Sequence, residues 1–134
     1  MQHDFDLTAT GYPKGYISNE LGREFKSDTK LINKCKQIIK NEIKDIKVII
    51  GTIATGDVFC NKTSMKEEII KEFSADCIEM EGAAIAQVCT LCNIPFIAIR
   101  SISDKPNGHN EIDFNTYLDM SVKRYQKIIN DIIQ

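Results

Sequence analysis

The sequence predicts a single α/β domain over residues 1–134, with a largely parallel sheet flanked by helices. Three runs rich in β-branched and apolar residues, at 46–56, 76–81 and 94–104, have the pattern of buried strands. Segments with apolar residues at helical spacing precede, separate and follow these runs. Parallel neighbours need long crossovers, and helices between strands supply them, so the alternation favours a parallel sheet. A chain of 134 residues is also too short for two ordinary domains.

The first two helices are predicted from apolar periodicity and from their starting residues. The first begins after Ser27 or Asp28, either of which suits an N-cap, and its apolar face comprises Leu31, Ile32, Cys35, Ile38, Ile39 and Ile43. The second spans about 63–73, where Ser64 and Glu67 have the spacing of a capping box.

Two further helices are predicted at about 82–91 and at 114–133, the latter with apolar residues at helical spacing throughout. Residues 1–26 keep no helical period and contain four turn-forming glycine and proline positions, so this region is predicted to be loop. A short strand within it is expected near 5–9.

The charge and hydropathy of the chain narrow the range of partners. The formal net charge is −2 and the pI is near 5.7, so the sequence lacks the basic stripe that nucleic-acid binding needs. The first residues contain no apolar signal region, and no apolar run approaches the length of a membrane span. We therefore predict a cytoplasmic protein that binds neither nucleic acid nor membrane.

The five cysteines are an odd number and lack the density of a secreted disulfide scaffold, so we expect reduced and mostly buried thiols. Cys89 and Cys92 form a CxxC pattern, but it lies inside a predicted helix. The chain has no second CxxC pair and only two histidines that could complete a metal site. Two small core residues one turn apart explain the pattern better than a metal or redox site. No metal or cofactor is predicted.

Each predicted strand ends in polar residues. The first ends in Thr55-Gly56-Asp57 with Phe59 close behind, the second in Glu79-Met80-Glu81, and the third in Arg100-Ser101-Ile102-Ser103-Asp104. Open parallel sheets bind their ligands at the carboxyl ends of the strands. One pocket would therefore collect an aromatic ring, two acids, an arginine and hydroxyl groups.

Each of these residues also has a simpler interpretation. Asp104 before Lys-Pro suits a turn, Phe59 suits a core, and Arg100 suits an ion pair with one of the acids. Glu79 or Glu81 could cap the following helix, although alternation along a strand points both side chains the same way. The three strand ends taken together favour a ligand pocket.

The stretches TGDVF, IEMEGAAIAQVC and IAIRSISD, in this order and at these intervals, resemble the C-terminal half of the methylthioadenosine/S-adenosylhomocysteine nucleosidases, within the nucleoside phosphorylase superfamily. The opening HDFDLTATGYPKG resembles a loop that begins near the subunit interface in that family. The resemblance implies a three-layer nucleoside phosphorylase-like fold. It also implies hydrolysis of the N-glycosidic bond of a 5′-thio-substituted adenosine, giving adenine and the thioribose, without a cofactor.

The resemblance assigns catalytic roles at the third strand end. Asp104 matches the acid that protonates N7 of the leaving adenine, Ser103 would orient it, and Arg100 matches a residue near the attacking water. A carboxylic acid acts in this way near neutral pH when its pKa is raised, and burial at a strand end can raise it.

The resemblance assigns substrate contacts at the other two strand ends. Glu81 matches the residue that hydrogen-bonds the ribose hydroxyls, and Met80 packs on the ribose. Phe59 matches the aromatic residue that stacks on the purine, and the backbone of Cys60 contacts the base edge. Glu79 is expected to support the pocket from beneath.

A homodimer is implied, because in this family the neighbouring subunit covers the 5′-thio group with a loop matched here by about 7–17. Leu7 and Tyr12 are the candidates in that loop. His3 and Asp4 match positions near the interface, where a structural role is the expectation.

Family members have further residues before the matched part, including the first strands, a glutamate that activates the water and a glycine-rich turn near the ribose. We therefore expect the N-terminal strands to be absent and the activity of this chain alone to be reduced or lost. A phosphorolytic relative and a non-catalytic nucleoside-binding module remain alternatives. The motifs do not choose between a methylthio and a homocysteine tail.

Overall fold

The computed structural model describes residues 1–44, 46–102 and 114–133. These residues form a 3-10 turn and six regular elements: the turn at Thr8–Thr10, α1 (Thr29–Glu42), β1 (Ile53–Thr55), α2 (Thr63–Phe73), β2 (Cys77–Glu79), α3 (Gly82–Leu91) and α4 (Phe114–Ile133). The chain divides into two compact units. The first unit comprises Met1–Lys26 and Ile49–Phe96, and the second comprises Ser27–Val48 and Ile97–Gln134.

The sheet of the first unit is parallel, as predicted. β1 and β2 pair with Ile53 opposite Cys77, Ala54 opposite Ile78 and Thr55 opposite Glu79. The helix α2 provides the crossover that a parallel pair requires. The α/β class with parallel strands is therefore confirmed.

The first three residues pair with the other edge of β1. The Thr55 amide donates to the Met1 carbonyl at 2.8 Å, the His3 amide donates to the Thr55 carbonyl at 2.9 Å, and Gln2 forms a parallel bridge with Thr55. β1 thus lies between two partners, and this central position explains why Ala54 is fully buried. The prediction of a strand near 5–9 was wrong, because the pairing occurs earlier and Thr8–Thr10 forms the 3-10 turn.

The core of the first unit joins β1 to α2. Its buried members are Ala54, Ile69, Phe73 and Ala75, with Met1, Cys60, Met65 and Ile78 packed against them. The Phe73 ring meets the His3 ring edge-on, with centroids 6.1 Å apart, and the Arg23 guanidinium lies 5.2 Å from the Phe73 centroid. These contacts attach the N-terminal segment to the end of α2.

The second unit is built on the packing of α1 against α4. Cys35, Ile39 and Ile128 are buried between these helices, and the partly buried residues around them are Ile38, Ile43, Ile46, Ile97, Ile99 and Ile132. Asp28 caps α1, because its carboxylate accepts a hydrogen bond from the Leu31 amide at 2.9 Å. This confirms the predicted helix start and apolar face.

The predicted extent of two strands was wrong. Only Ile53–Thr55 of the 46–56 run is strand, and the described part of the 94–104 run, up to residue 102, is not assigned as strand. Several residues of these runs, including Val48, Ile49 and Ile50, are exposed rather than buried. The physical reason is that β-branched composition favours extended backbone, whereas a strand also needs a partner that donates and accepts its ladder hydrogen bonds.

Two local expectations also differ from the structure. Lys62 occupies the N-cap of α2 without a side-chain hydrogen bond, so Ser64 lies inside the helix and the predicted capping box does not form. All five cysteines carry free thiols, yet only Cys35 is buried and Cys92 is exposed. No helix in the described ranges combines the length and the apolarity that crossing a membrane requires.

Candidate active site

The register of the sheet brings two of the predicted strand ends together. Thr55 and Glu79 are the last residues of their strands and lie opposite each other, and the Gly56 amide donates to the Glu79 carbonyl at 3.2 Å. The turn after β1 and the turn after β2 therefore leave the sheet side by side. This places the TGDVF and EMEG segments at one edge of the first unit.

The Glu79 carboxylate is held at the N-terminus of α3. It accepts the Gly82 amide at 2.8 and 2.9 Å on its two oxygens and the Glu81 amide at 3.1 Å. The Thr55 hydroxyl donates to Glu79 Oε1 and accepts a hydrogen bond from the Ala83 amide at 2.9 Å. We call this group of contacts among Thr55, Glu79 and the first amides of α3 the Thr55–Glu79 clamp.

A carboxylate such as that of Glu79 suits the N-terminus of a helix. An ionised carboxylate offers only acceptors, and all of the partners given above for Glu79 are donors. A negative charge at a helix N-terminus also interacts favourably with the helix dipole. Thr55 is only 4% exposed, so its hydroxyl makes its two hydrogen bonds away from bulk water.

The two glutamates have different positions relative to α3. Glu81 occupies the N-cap position, its side chain does not cap the helix, and the residue is exposed. Glu79 instead provides the carboxylate that accepts from the helix amides. The helix-cap interpretation therefore applies to the Glu79 side chain and not to the Glu81 side chain.

Gly82 lies in close contact with the Glu79 carboxylate of the clamp. A Cβ added at this position would lie 2.9 Å from Glu79 Oε1 and 3.2 Å from Glu79 Cδ. Both distances are shorter than ordinary contacts, so any larger residue would push the carboxylate away. Glycine at this position therefore leaves room for the Glu79 carboxylate where it lies.

Large apolar side chains lie exposed at the same edge of the first unit. Phe59 is 70% exposed and Met80 is 40% exposed, so neither is a core residue. Cys60 is half-buried against the core, and burial raises the pKa of its thiol. The thiol is therefore neutral near pH 7.

His3 and Asp4 support the turn after β1. The Asp4 carboxylate accepts hydrogen bonds from the Asp57 amide and from the Gln2 side chain. His3 is 2% exposed, its Nε2 atom has no hydrogen-bond partner among the described residues, and a Cβ added at Gly56 would collide with its ring. Burial lowers the pKa of His3, so the imidazole is neutral near pH 7.

The loop residues assigned to the tail of the substrate also lie in the first unit. Leu7 is half-buried and directly precedes the 3-10 turn. Tyr12 is 40% exposed and stacks on Tyr16, with ring centroids 4.8 Å apart and an interplanar angle of 7°. The loop therefore presents an ordered aromatic surface.

The residues predicted at the third strand end are described only in part. Arg100 is exposed and belongs to the second unit, as does Ser101, whose hydroxyl accepts from the Ser121 hydroxyl at 3.3 Å. Ser103 and Asp104 lie outside the described residues. Of the predicted site, the structure therefore describes the part that the first unit carries, together with Arg100 of the second unit.

The role of Thr55 was not predicted from the sequence beyond its place in a polar strand end. The partner of its hydroxyl lies 24 residues later in the chain, so no local pattern indicates this contact. A polar residue at the last position of an otherwise apolar strand was the available signal. Within the described ranges, no cluster of three or more His, Cys, Asp or Glu side chains could hold a metal ion.

Comparisons with known proteins extend these observations. The family model described as the Phosphorylase superfamily matches residues 1–134. The 5′-methylthioadenosine/S-adenosylhomocysteine nucleosidase of Geobacillus sp. (strain WCH70) is 39% identical over 134 residues, which are 99% of this chain and 57% of that protein.

Solved structures agree with this relationship. The crystal structure of Campylobacter jejuni 5′-methylthioadenosine/S-adenosyl homocysteine nucleosidase superposes with a TM-score of 0.89 and 35% identity, over 98% of this chain and 56% of that one. The native structure of futalosine hydrolase of Helicobacter pylori strain 26695 gives a TM-score of 0.85 and 32% identity, over 98% and 54%. The chain spans somewhat more than half the length of these relatives. The nucleoside phosphorylase-like fold and the resemblance read from the motifs are confirmed, and the chain belongs to the phosphorylase superfamily.

Proposed function

We propose that this chain carries the purine-binding and ribose-binding part of a nucleosidase. The reaction is hydrolysis of the N-glycosidic bond of 5′-methylthioadenosine or S-adenosylhomocysteine, with water as the second substrate and with adenine and the 5-thioribose as products. The observation that supports this most is the pairing of Thr55 with Glu79, which sets the Phe59 turn beside the Met80–Glu81 turn. The names of the relatives support the choice of substrate.

The proposed substrate contacts use the exposed residues of the first unit. The Phe59 ring stacks on the purine, because an aromatic face that is largely exposed at a strand end is free to accept a flat base. Glu81 accepts hydrogen bonds from the ribose hydroxyls through its two carboxylate oxygens. Met80 packs on the ribose, and the Cys60 backbone meets the base edge.

The proposed chemistry follows from how the bond breaks. Adenine leaves poorly as an anion, so protonation of N7 as the bond stretches lowers the barrier. We assign this proton to Asp104, oriented by Ser103, with Arg100 beside the attacking water. Positive charge develops on the ribose as in other glycoside cleavages, and we assign the stabilisation of that charge to the Glu81 carboxylate.

The assembly proposed for the active protein is a homodimer in the cytoplasm. Leu7 and Tyr12 of one subunit cover the 5′-thio group bound by the other. The exposed face of the stacked Tyr12–Tyr16 pair supports this, because an ordered aromatic surface on a loop suits an apolar thioether. Nucleic acid and membrane are not proposed as partners.

The test is release of adenine from 5′-methylthioadenosine by the intact protein, measured with and without phosphate. Release in the absence of phosphate supports the proposal, and strict dependence on phosphate would show phosphorolysis instead. Asp104→Asn should abolish release and preserve binding, because the amide keeps the shape of the acid but has no proton of suitable acidity to give. Cleavage that survives this substitution would refute the assignment of the acid.

A second candidate substrate is favoured by the likeness to the Helicobacter pylori futalosine hydrolase. Futalosine is therefore assayed beside 5′-methylthioadenosine and S-adenosylhomocysteine. A value of kcat/KM that is highest for futalosine would replace the substrate named above while leaving the reaction class unchanged.

A further inference from the structure

We infer that Thr55 and Glu79 are positioning residues that set the place of Glu81, so that recognition of the ribose depends on a buried hydroxyl that touches no substrate atom. This inference rests on the proposed function, in which Glu81 binds the ribose. It assigns the clamp a role beyond closing the N-terminus of α3.

The clamp ties together the three elements that meet at the site. The Thr55 hydroxyl belongs to β1, the Glu79 carboxylate to β2, and the amide partners to the first turn of α3. The Glu81 amide, bound to Glu79 Oε2 at 3.1 Å, lies inside this arrangement. The Glu81 backbone is therefore held to the end of β2 through the Glu79 carboxylate.

The Thr55 hydroxyl has a single proton, so it can donate only one hydrogen bond, and the partner of that bond fixes the orientation of the hydroxyl. Because the proton is donated to Glu79 Oε1, only the lone pairs remain to accept the Ala83 amide. Each bond orients the other, and both lie in a buried part of the first unit, where a lost partner is costly. A substitution of Thr55 therefore alters the position of Glu81 through the Glu79 carboxylate.

Valine is the informative replacement for Thr55, because it has nearly the same shape and no hydroxyl. Thr55→Val leaves the Ala83 amide and one carboxylate position without their partner, and the Met80–Glu81 turn must shift or admit water. Thr55→Ser keeps the hydroxyl and removes only the methyl group. Thr90→Val is the matched control, since the Thr90 hydroxyl donates to the Ala86 carbonyl at 2.8 Å near the other end of the same helix.

The experiment measures kcat/KM for 5′-methylthioadenosine and the Kd for adenine in the intact protein. We expect Thr55→Val to lower kcat/KM by about 10- to 100-fold, with adenine affinity changed by less than about twofold. The substitution keeps the backbone pairing that positions the Phe59 turn, and Phe59 makes no hydrogen bond of the clamp. Thr55→Ser should stay within about threefold of the wild type, and Thr90→Val should match it. In a Glu81→Gln background, Thr55→Val should add less than about twofold, because its effect passes through Glu81.

Several results would overturn the inference while leaving the proposed function intact. These are equal losses from Thr55→Val in both backgrounds, a parallel loss of adenine affinity, or a serine variant as impaired as the valine variant. A wild-type protein that neither cleaves nor binds 5′-methylthioadenosine would overturn the proposed function and this inference together. If Thr55→Val does not fold, Glu79→Gln is measured in the same cycle with the same expectations, because its amide group turns a donor toward one of the donors of the clamp.

Discussion

Replacing Gly82 with alanine tests whether the Glu79 carboxylate is rigidly held. A glycine-to-alanine change at a helical position is normally stabilising, by about 1 kcal/mol at most near a helix end. Here the added Cβ would lie 2.9 Å from Glu79 Oε1, so the carboxylate has to move. Movement weakens its hydrogen bonds to the Gly82 and Glu81 amides, which are charge-assisted.

The expected size follows from those bonds. A hydrogen bond to a charged group contributes about 1.5–3 kcal/mol, and Glu79 is only half-buried, so water replaces part of what is lost. Setting this loss against the gain in helix propensity predicts that Gly82→Ala lowers the free energy of unfolding by about 1–2 kcal/mol. The sign is thus opposite to that of an ordinary helix glycine.

The assay is urea unfolding followed by far-UV circular dichroism, which suits a chain without tryptophan. Ala84→Gly is the matched control, because Ala84 is exposed in the same helix and its replacement should cost about 1 kcal/mol through propensity alone. Combining Gly82→Ala with Glu79→Ala removes the clash, and the alanine at 82 should then be neutral or stabilising. A Gly82→Ala protein at least as stable as the wild type would show that the carboxylate moves without cost.

Three further predictions concern other parts of the chain. Phe59→Ala should weaken adenine binding by about 5- to 150-fold, since stacking of a base on an aromatic ring contributes about 1–3 kcal/mol. It should leave the unfolding midpoint nearly unchanged because the ring is exposed, and calorimetric titration and urea unfolding measure the two effects. Burial lowers the pKa of His3 in the folded chain below its ordinary value of 6.5, so the unfolded chain binds more protons between these two pKa values. The contribution of His3 to the free energy of unfolding should therefore be fully present above pH 6.5 and decline as the pH falls below it. His3→Gln should flatten this decline in urea unfolding between pH 5 and 8, and an unchanged slope would show that another group is responsible. Asp28→Ala should cost about 1 kcal/mol by removing the cap of α1, whereas Asp28→Asn should retain most of the stability in the same assay.

The helices could be predicted from the sequence because their signals are local. Apolar residues three and four positions apart lie on one face of a helix, so the pattern that identified α1 and α4 also identified the residues that pack between them, such as Cys35 and Ile39. The Asp28 cap is likewise a local feature, since its carboxylate meets an amide three residues later. No knowledge of the rest of the chain was needed.

The extent of the strands could not be predicted in the same way. The 46–56 run has the composition of a strand throughout, but only Ile53–Thr55 forms a strand. Its partners come from residues 1–3 and from β2. Composition reports that a segment favours extended backbone, whereas pairing depends on segments far away in the chain.

The polar strand ends and the family motifs were readable from the sequence by itself, and so was the expectation that Glu79 and Glu81 belong to one site. Only the tertiary structure separated the two glutamates. β2 ends at Glu79, so the alternation that would point both side chains the same way stops before Glu81. The Thr55 hydroxyl and the first amides of α3 then hold Glu79 at the helix N-terminus. These partners meet only through the register of two strands, and register is a non-local property that a linear pattern does not contain.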